Sequence, residues 1–240
     1  MRTPPTAIDV DFHARVDPHR HRSELGDVIL GGQDGLVNVL GVILGVAAAT
    51  AEARIVLVAG IAAALAESVS MAAVAYTTRR AEQALYKSEA AREERHFERV
   101  PALETDEVRA LYRKKGFEGA LLDQIVATIT ANKEVWLAVM MTEELHLTPV
   151  DGRRGLRAAV VVGVAALVGS ALPLLPFLVF NVAASMWLAV GVAALALFAV
   201  GAYKNARTIG SWVAGGLEMT AIGLAAAAVG WLVGLALRVR

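Results

Sequence analysis

The chain has 240 residues, 56% of them hydrophobic, and a formal net charge of +0. Its mean hydropathy of +0.53 is too high for an ordinary soluble domain of this length, which excludes that class and leaves a membrane protein. The chain contains no cysteine, so disulfides and thiolate metal sites are excluded as well. Any bound metal must therefore use oxygen, imidazole or thioether ligands, and we expect neither a prosthetic group nor a nucleic-acid partner.

Five segments are long and apolar enough to cross a bilayer as helices, which takes about 20 residues each. In chain order they cover residues 28–50, 55–78, 156–180, 182–203 and 212–237. The first two are separated by four residues, and the third and fourth by a turn near Pro176 and Asn181, so each pair is predicted to form an antiparallel hairpin. The predicted fold class is all-α, a polytopic membrane protein with five transmembrane helices.

Charge sets the predicted domain boundaries. Residues 1–26 lack apolar periodicity and a signal-peptide core, so we expect a disordered cytoplasmic tail there. Spans one and two occupy residues 27–78, and spans three to five occupy residues 155–240. Residues 79–154 are too charged for lipid and are predicted to form a cytoplasmic helical domain between spans two and three.

Within that charged segment the sequence predicts several helices. The first continues from span two to about residue 99, the second covers 104–115, and more than one covers 118–146. Pro101 breaks the pattern because proline cannot continue a helix, and Gly116 is a candidate left-handed cap.

Lys and Arg side chains near the span ends predict the orientation. They cluster before span one, on both sides of the charged segment and after span four, and the positive-inside rule places all three regions in the cytoplasm. The N-terminus is therefore expected inside and the C-terminus outside. The alanine-rich composition without an organellar sorting signal favours a bacterial inner (plasma) membrane.

Acidic side chains inside the predicted spans need an explanation, because a charge in a span costs at least a few kcal/mol by insertion scales. Asp34 lies deep in span one, with Asp27 two turns earlier and Asn38 one turn later on the same face. In span two, Glu67 and Met71 share a face at i and i+4. Carboxylates beside a thioether favour Fe²⁺ over Mg²⁺ or Ca²⁺. The alternative is that the acids only form structural hydrogen bonds and that the methionine faces lipid.

Potential metal ligands also recur in the charged segment, each group on one helix face. They are Glu93 with His96, Glu104 with Glu107, and Met140 with Met141 and Glu144. Acidic runs on helices are usually solvated surface, and that interpretation stays open for each group taken alone.

Four short motifs carry a family resemblance. They are DVILGGQDGLV from Asp27, AESVSMAA from Ala66, MMTEEL from Met140 and PLLP from Pro173. Their order and spacing resemble the vacuolar iron transporter family, which also contains the yeast calcium-cross-complementing transporter. We expect a bacterial-type member of it. The resemblance covers the chain from about Ser23 to its end. It implies a five-span homodimer that exchanges Fe²⁺ for protons, with a cytoplasmic three-helix domain that binds metal through glutamates and methionines.

The resemblance also implies roles for particular residues. Asp34, Glu67 and Met71 match the translocation site, with Asp27 near the cytoplasmic entrance. The cytoplasmic ligands it implies are Glu93, Glu104, Glu107, Met140, Met141 and Glu144. His96 stands where the family has another glutamate. Since an imidazole ordinarily titrates near pH 6.5, about two units above a glutamate, we expect metal affinity to fall from about pH 7.5 to 6, before the carboxylates protonate.

The predicted function is a transporter, not an enzyme, that moves Fe²⁺ or Mn²⁺ out of the cytoplasm as an antiporter with protons. Zn²⁺ is a further candidate ion, since imidazole also binds it. The small residues Gly41 and Gly45 form a small-xxx-small motif that allows two helices to approach closely, as in a homodimer.

Two alternatives remain at this stage. A membrane-anchored di-iron carboxylate oxidase is indicated by two Glu-x-x-His motifs, Glu93 to His96 and Glu143 to His146. A metal sensor or scaffold without transport would use the charged segment but leave Asp34 and Glu67 unexplained.

Overall fold

A computed structural model of the chain describes residues 25–150, 152–207 and 210–237. Within these residues all regular elements are helical. The α-helices are α1 (Leu25–Thr50), α2 (Ala53–Arg99), α3 (Pro101–Lys114), α4 (Gly119–Thr130), α5 (Lys133–Val139), α6 (Arg153–Ala171), α7 (Val182–Arg207) and α8 (Trp212–Ala236), with a π-helical turn at Met140–Glu144 and a 3-10 helix at Leu172–Leu178. Apart from its last two residues, the predicted tail 1–26 lies outside the described residues.

Five of these helices are long and apolar enough to cross a membrane, which confirms the predicted all-α polytopic fold. They are α1, α2, α6 with its 3-10 extension, α7 and α8. The second span and the first helix of the charged segment form one uninterrupted helix of 47 residues. Pro101 opens α3, where its missing N–H is harmless, and Gly116 adopts a positive φ of 93° just beyond the end of α3.

The described residues divide into two compact units. One contains those of Met1–Ala72 and Val160–Arg240, and the other contains those of Ala73–Ala159. We call them the span unit and the charged unit. The predicted domain boundaries, 79–154, and the cytoplasmic location of that domain both stay predictions.

Helix α1 lies at the centre of the span unit. Its buried face packs into a core with side chains from α2, the 3-10 helix, α7 and α8. Val39, Leu40 and Ile43 on this face are fully buried. The opposite face of α1 carries the polar residues, so the core on one side determines where the candidate site lies.

Glycine allows α1 to approach its neighbours closely. A Cβ at Gly230 of α8 would overlap the carbonyl oxygen of Gly41, and one at Gly234 would overlap that of Gly45. Earlier on α1, a Cβ at Gly31 would overlap the carbonyl oxygen of Val162 in α6. The small residues predicted to serve a dimer contact are thus used for packing within one chain.

The charged unit has its own core. It is formed by Phe97, Val108, Leu122, Val126, Ile129, Trp136 and Met140. Phe97 of α2 and Trp136 of α5 stack with ring centroids 4.3 Å apart. Asn132 caps α5, because its side-chain oxygen accepts hydrogen bonds from the N–H groups of Glu134 and Val135. This core fixes the end of α2 relative to α3, α5 and the π turn.

Candidate metal sites

The first candidate site lies between α1 and α2 in the span unit. Asn38 Nδ2 donates a hydrogen bond to Glu67 Oε2 at 2.6 Å. The Asp34 side chain, one turn earlier on α1, interacts with the same Glu67 carboxyl group. An amide and two carboxyl groups therefore converge from two adjacent spans, which supplies the oxygen ligands that divalent cations use.

A pocket of about 300 Å³ opens beside these groups. It is lined by Asn38, Val39, Val42, Ala63, Ala66, Glu67 and Ser70. Asp34 and Asn38 are exposed on the single chain, and Glu67 is half-buried. Asp27 and Met71, also half-buried, lie along the same two helices, Asp27 about 10 Å before Asp34 along the axis and Met71 one turn after Glu67.

The second candidate site lies in the charged unit, where α2 meets α3. One ligand atom from each of Glu93, His96 and Glu104 lies within 4.8 Å of the others. His96 Nδ1 is 3.0 Å from Glu104 Oε1. Glu93 and Glu104 are only 6% and 2% exposed, which is unusual for carboxylates.

Local sequence explains why these side chains meet. Proline at the first position of α3 ends α2 at Arg99 and starts a new helix at once, so the end of α2 and the start of α3 lie side by side. Glu104 falls in the first turn of α3, where the helix dipole favours an acid. Glu107, half-buried, follows one turn later on the same face.

The buried carboxyl groups lack enough hydrogen-bond donors. Among the described residues, the Oε2 atoms of Glu93, Glu104 and Glu144 are buried without a hydrogen-bond partner. A buried polar atom without a partner costs about 1–3 kcal/mol, and more if it is charged. Three such oxygens in one unit fit a cluster that a cation completes.

These surroundings change the protonation of the cluster. Burial, reinforced by the negative charges of Glu107 and Glu93, raises the pKa of the Glu104 carboxyl to about 8. Burial also raises the pKa of Glu93 and of Glu144. Glu104 therefore keeps its proton to a higher pH than an ordinary glutamate, which the sequence did not show because it does not reveal how deeply this acid is buried.

The remaining predicted ligands lie on the π turn. Leu145 donates its N–H to the Met140 carbonyl at 3.1 Å, the i to i−5 bond that defines such a turn. Met140 and Met141 are 0% and 1% exposed, and Met140 also belongs to the core of this unit. The negative charges of Glu107 and Glu93 add to the effect of burial in raising the pKa of Glu144. The structure thus brings four acids together, namely Glu93, Glu104, Glu107 and Glu144. Both methionines are buried in the same π turn as Glu144.

Tyr112 and Lys115 were missed as contributors to this region, and Glu143 was considered only as part of a Glu-x-x-His motif. Glu143 accepts a hydrogen bond from the Tyr112 hydroxyl at 3.3 Å and pairs with Lys115. Its partners are 31 and 28 residues away, so no local sequence signal reveals them. His146, at a positive φ of 53°, is exposed, and the second Glu-x-x-His motif of the oxidase alternative therefore has its glutamate already engaged.

Five apolar helices with acids inside two of them, together with a second, buried acidic cluster, are the features of a membrane protein that handles metal cations. The family model described as the VIT family matches residues 25–235. The chain belongs to the VIT family, and it is a multi-pass membrane transporter of metal ions, not an enzyme.

Three relatives illustrate this membership. A protein named Vacuolar iron transporter 1 from Tulipa gesneriana is 30% identical over 206 residues, which cover 85% of this chain and 83% of the relative. Its namesake from Arabidopsis thaliana is 32% identical over 203 residues, 84% and 81% of the two chains. The one from Oryza sativa subsp. japonica is 31% identical over 195 residues, 80% and 77%. All three are plant proteins, so the expected bacterial-type assignment is not borne out.

Proposed function

We propose that the chain moves Fe²⁺, and also Mn²⁺, out of the cytoplasm in exchange for protons. The relatives named as iron transporters support iron as the cargo. The charged unit would collect the ion through Glu93, His96, Glu104, Glu107, Met140, Met141 and Glu144. The ion would then pass Asp27 and cross through Asp34, Asn38, Glu67 and Met71.

The observation that carries this proposal is the contact between α1 and α2. Asn38 holds Glu67 at 2.6 Å while Asp34 interacts with the same carboxyl group. Neither a sensor nor a scaffold needs two acids and an amide in the middle of its spans. Carboxylates also supply the coupling, because protonation weakens their hold on a metal ion and so links cation release to proton uptake.

Exposure of the site supports a homodimer. Asp34 and Asn38 lie on the surface of a single chain, where lipid would be a costly neighbour for a carboxylate. A groove of about 540 Å³ between α1 and α8 shares Asn38 and Val42 with the pocket beside Glu67. In our proposal a second copy covers this face, so that two α1 helices line one pathway.

Flux into sealed vesicles tests the transport proposal. Purified protein in liposomes with an internal pH dye should move Fe²⁺ and Mn²⁺ and move protons in the opposite direction. Asp34→Asn and Glu67→Gln should each abolish flux without loss of folded protein, because they remove charge but keep side-chain size. Glu98→Gln, an exposed acid of the charged unit, is the matched control. Wild-type flux in both span variants would refute the proposed site.

Single introduced cysteines test the dimer, since the chain has none of its own. Val42→Cys lies on the groove and should cross-link to its copy in membranes. Leu195→Cys, on an exposed face of α7, should stay monomeric. The reverse result would place the dimer contact elsewhere.

We further propose that the N-terminus and the charged unit face the cytoplasm. Lys and Arg flanking the spans support this orientation. From composition we expected a bacterial inner membrane, whereas the relatives are named as vacuolar transporters. Fractionation of the tagged protein from its source cells distinguishes the two.

A further inference from the structure

Helix α3 holds the π turn from outside the acidic cluster. Glu143 Oε1 accepts a hydrogen bond from the Tyr112 hydroxyl at 3.3 Å, and Glu143 Oε2 pairs with Lys115 Nζ. The Lys115 ammonium also lies 4.8 Å from the centroid of the Tyr112 ring. Both oxygens of one carboxylate are thus engaged by the C-terminal end of α3. We call Tyr112, Lys115 and Glu143 the π-turn clamp.

A π turn needs such support. Its i to i−5 hydrogen bonding is rare, and turns of this kind are frequent at functional sites. Two residues after the turn, His146 adopts a left-handed conformation, with a φ of 53°, which is unfavourable for a non-glycine residue. Leu147 N–H closes a wider loop to the Met141 carbonyl at 2.7 Å. Contacts from outside the turn must therefore stabilise this stretch.

The clamp also determines which way the neighbouring side chains point. Glu143 and Glu144 are adjacent, so they project from different sides of the turn. While α3 holds Glu143, Glu144 points inward and buries an oxygen that has no hydrogen-bond partner. Met140 and Met141 are buried in the same turn.

We propose that Tyr112, Lys115 and Glu143 are positioning residues that set the metal affinity of the charged unit by fixing the π turn. This inference rests on the proposed role of Met140, Met141 and Glu144 as ligands. None of the three clamp residues contacts the ion in this proposal. Outer partners of this kind typically change metal affinity about 10- to 100-fold when removed.

Exchange of the charges tests the clamp in the full-length protein in detergent, with Mn²⁺ as the titrated ion. Glu143→Lys and Lys115→Glu should each weaken Mn²⁺ binding about 10- to 100-fold. The double variant restores the ion pair in reverse and should recover most of the affinity. The Mn²⁺ EPR spectrum should change in the single variants and return toward wild type in the double variant.

Lys115→Glu distinguishes an effect of the clamp on metal affinity from a direct effect of charge on the bound cation. A nearby negative charge in place of a positive one should strengthen cation binding by Coulomb attraction, whereas loss of the clamp should weaken it. The control exchanges the exposed Lys133–Glu98 pair, 3.3 Å apart, and should leave affinity unchanged. Milder variants, Tyr112→Phe and Glu143→Gln, keep the test valid if a charge exchange prevents folding.

Wild-type affinity in every folded single variant would overturn the inference. Tighter binding in Lys115→Glu would overturn it as well, and so would a double variant as weak as Glu143→Lys, since Glu143 would then act by itself. Glu144→Gln distinguishes these results from failure of the proposed function. If Glu144→Gln and Glu104→Gln leave Mn²⁺ binding unchanged, the proposed site fails. If they weaken it while the clamp variants do not, only the clamp fails.

Discussion

His96 Nδ1 lies 3.0 Å from Glu104 Oε1, which joins the end of α2 to the first turn of α3. The second carboxyl oxygen of Glu104 is buried without a hydrogen-bond partner. One side of this acid is thus satisfied by an imidazole and the other is open. A proton or a metal ion can neutralise the buried carboxylate, and the two compete for it.

Metal binding should therefore release a proton from Glu104. With its pKa raised to about 8 by burial and by Glu107 and Glu93, Glu104 is mostly protonated at pH 7 in the metal-free protein. Titration of Mn²⁺ at pH 7 in buffers of different ionisation enthalpy should show about one proton fewer released by Glu104→Gln than by wild type. Glu98→Gln is the control. Equal proton release in all three proteins would contradict the prediction.

Stability of the metal-free protein should depend on the same acid. The pKa of Glu104 is about 8 in the folded protein against an ordinary 4.5, so the folded state holds more protons between these values. The free energy of unfolding must then fall as pH rises from about 4.5 to 8. Glu104→Gln removes this loss, so its melting temperature should exceed that of wild type increasingly from pH 5 to 8.5. A constant difference across this range would show that Glu104 does not titrate with folding.

His96→Glu should make metal binding more sensitive to acid. Another carboxylate beside Glu104 adds like charge to a buried cluster, which raises the pKa of its acids further. Loss of Mn²⁺ on acidification should therefore begin at a higher pH than in wild type, as followed by titration between pH 8.5 and 6. His96→Gln keeps a neutral hydrogen-bonding side chain and isolates the effect of charge. A shift to lower pH would contradict the prediction.

Combined Glu104→Ala and Glu107→Ala should lower the number of Mn²⁺ ions bound, because both side chains belong to the acidic cluster of the charged unit. In the proposed function this cluster collects ions and does not line the pathway between α1 and α2, so flux should fall most at low Fe²⁺ and little at saturation. Vesicle flux measured over a range of Fe²⁺ concentrations checks this. Unchanged stoichiometry would make these acids ordinary surface or structural groups.

Gly230→Ala should destabilise the span unit, because the added Cβ would overlap the Gly41 carbonyl oxygen. Overpacking of this kind costs about 1–3 kcal/mol, visible as a lower melting temperature in detergent. Gly41→Ala should be tolerated, since its Cβ would lie 3.6 Å from the nearest atom, the Ala226 carbonyl oxygen. Gly191→Ala meets nothing within 4 Å and serves as the control. Equal effects at Gly41 and Gly230 would contradict this packing.

Much of this protein was determined by its sequence alone. The five spans were predictable because a stretch of apolar residues long enough to cross a bilayer has few alternatives. Asp34 and Glu67 were identified by the cost of placing charge in lipid, a property of each residue and its immediate neighbours. The helix break at Pro101 was equally local, because proline lacks the N–H that a continuing helix needs.

Only the tertiary structure decided which distant residues meet. A small-xxx-small motif does not state its partner, and Gly41 and Gly45 pack against α8 of the same chain. The sequence does not show whether a glutamate is solvated or buried. The raised pKa of Glu104 depends on its burial between α2 and α3, which only the tertiary structure shows. Glu143 and Lys115 are 28 residues apart in the sequence, and their pairing depends on packing between helices.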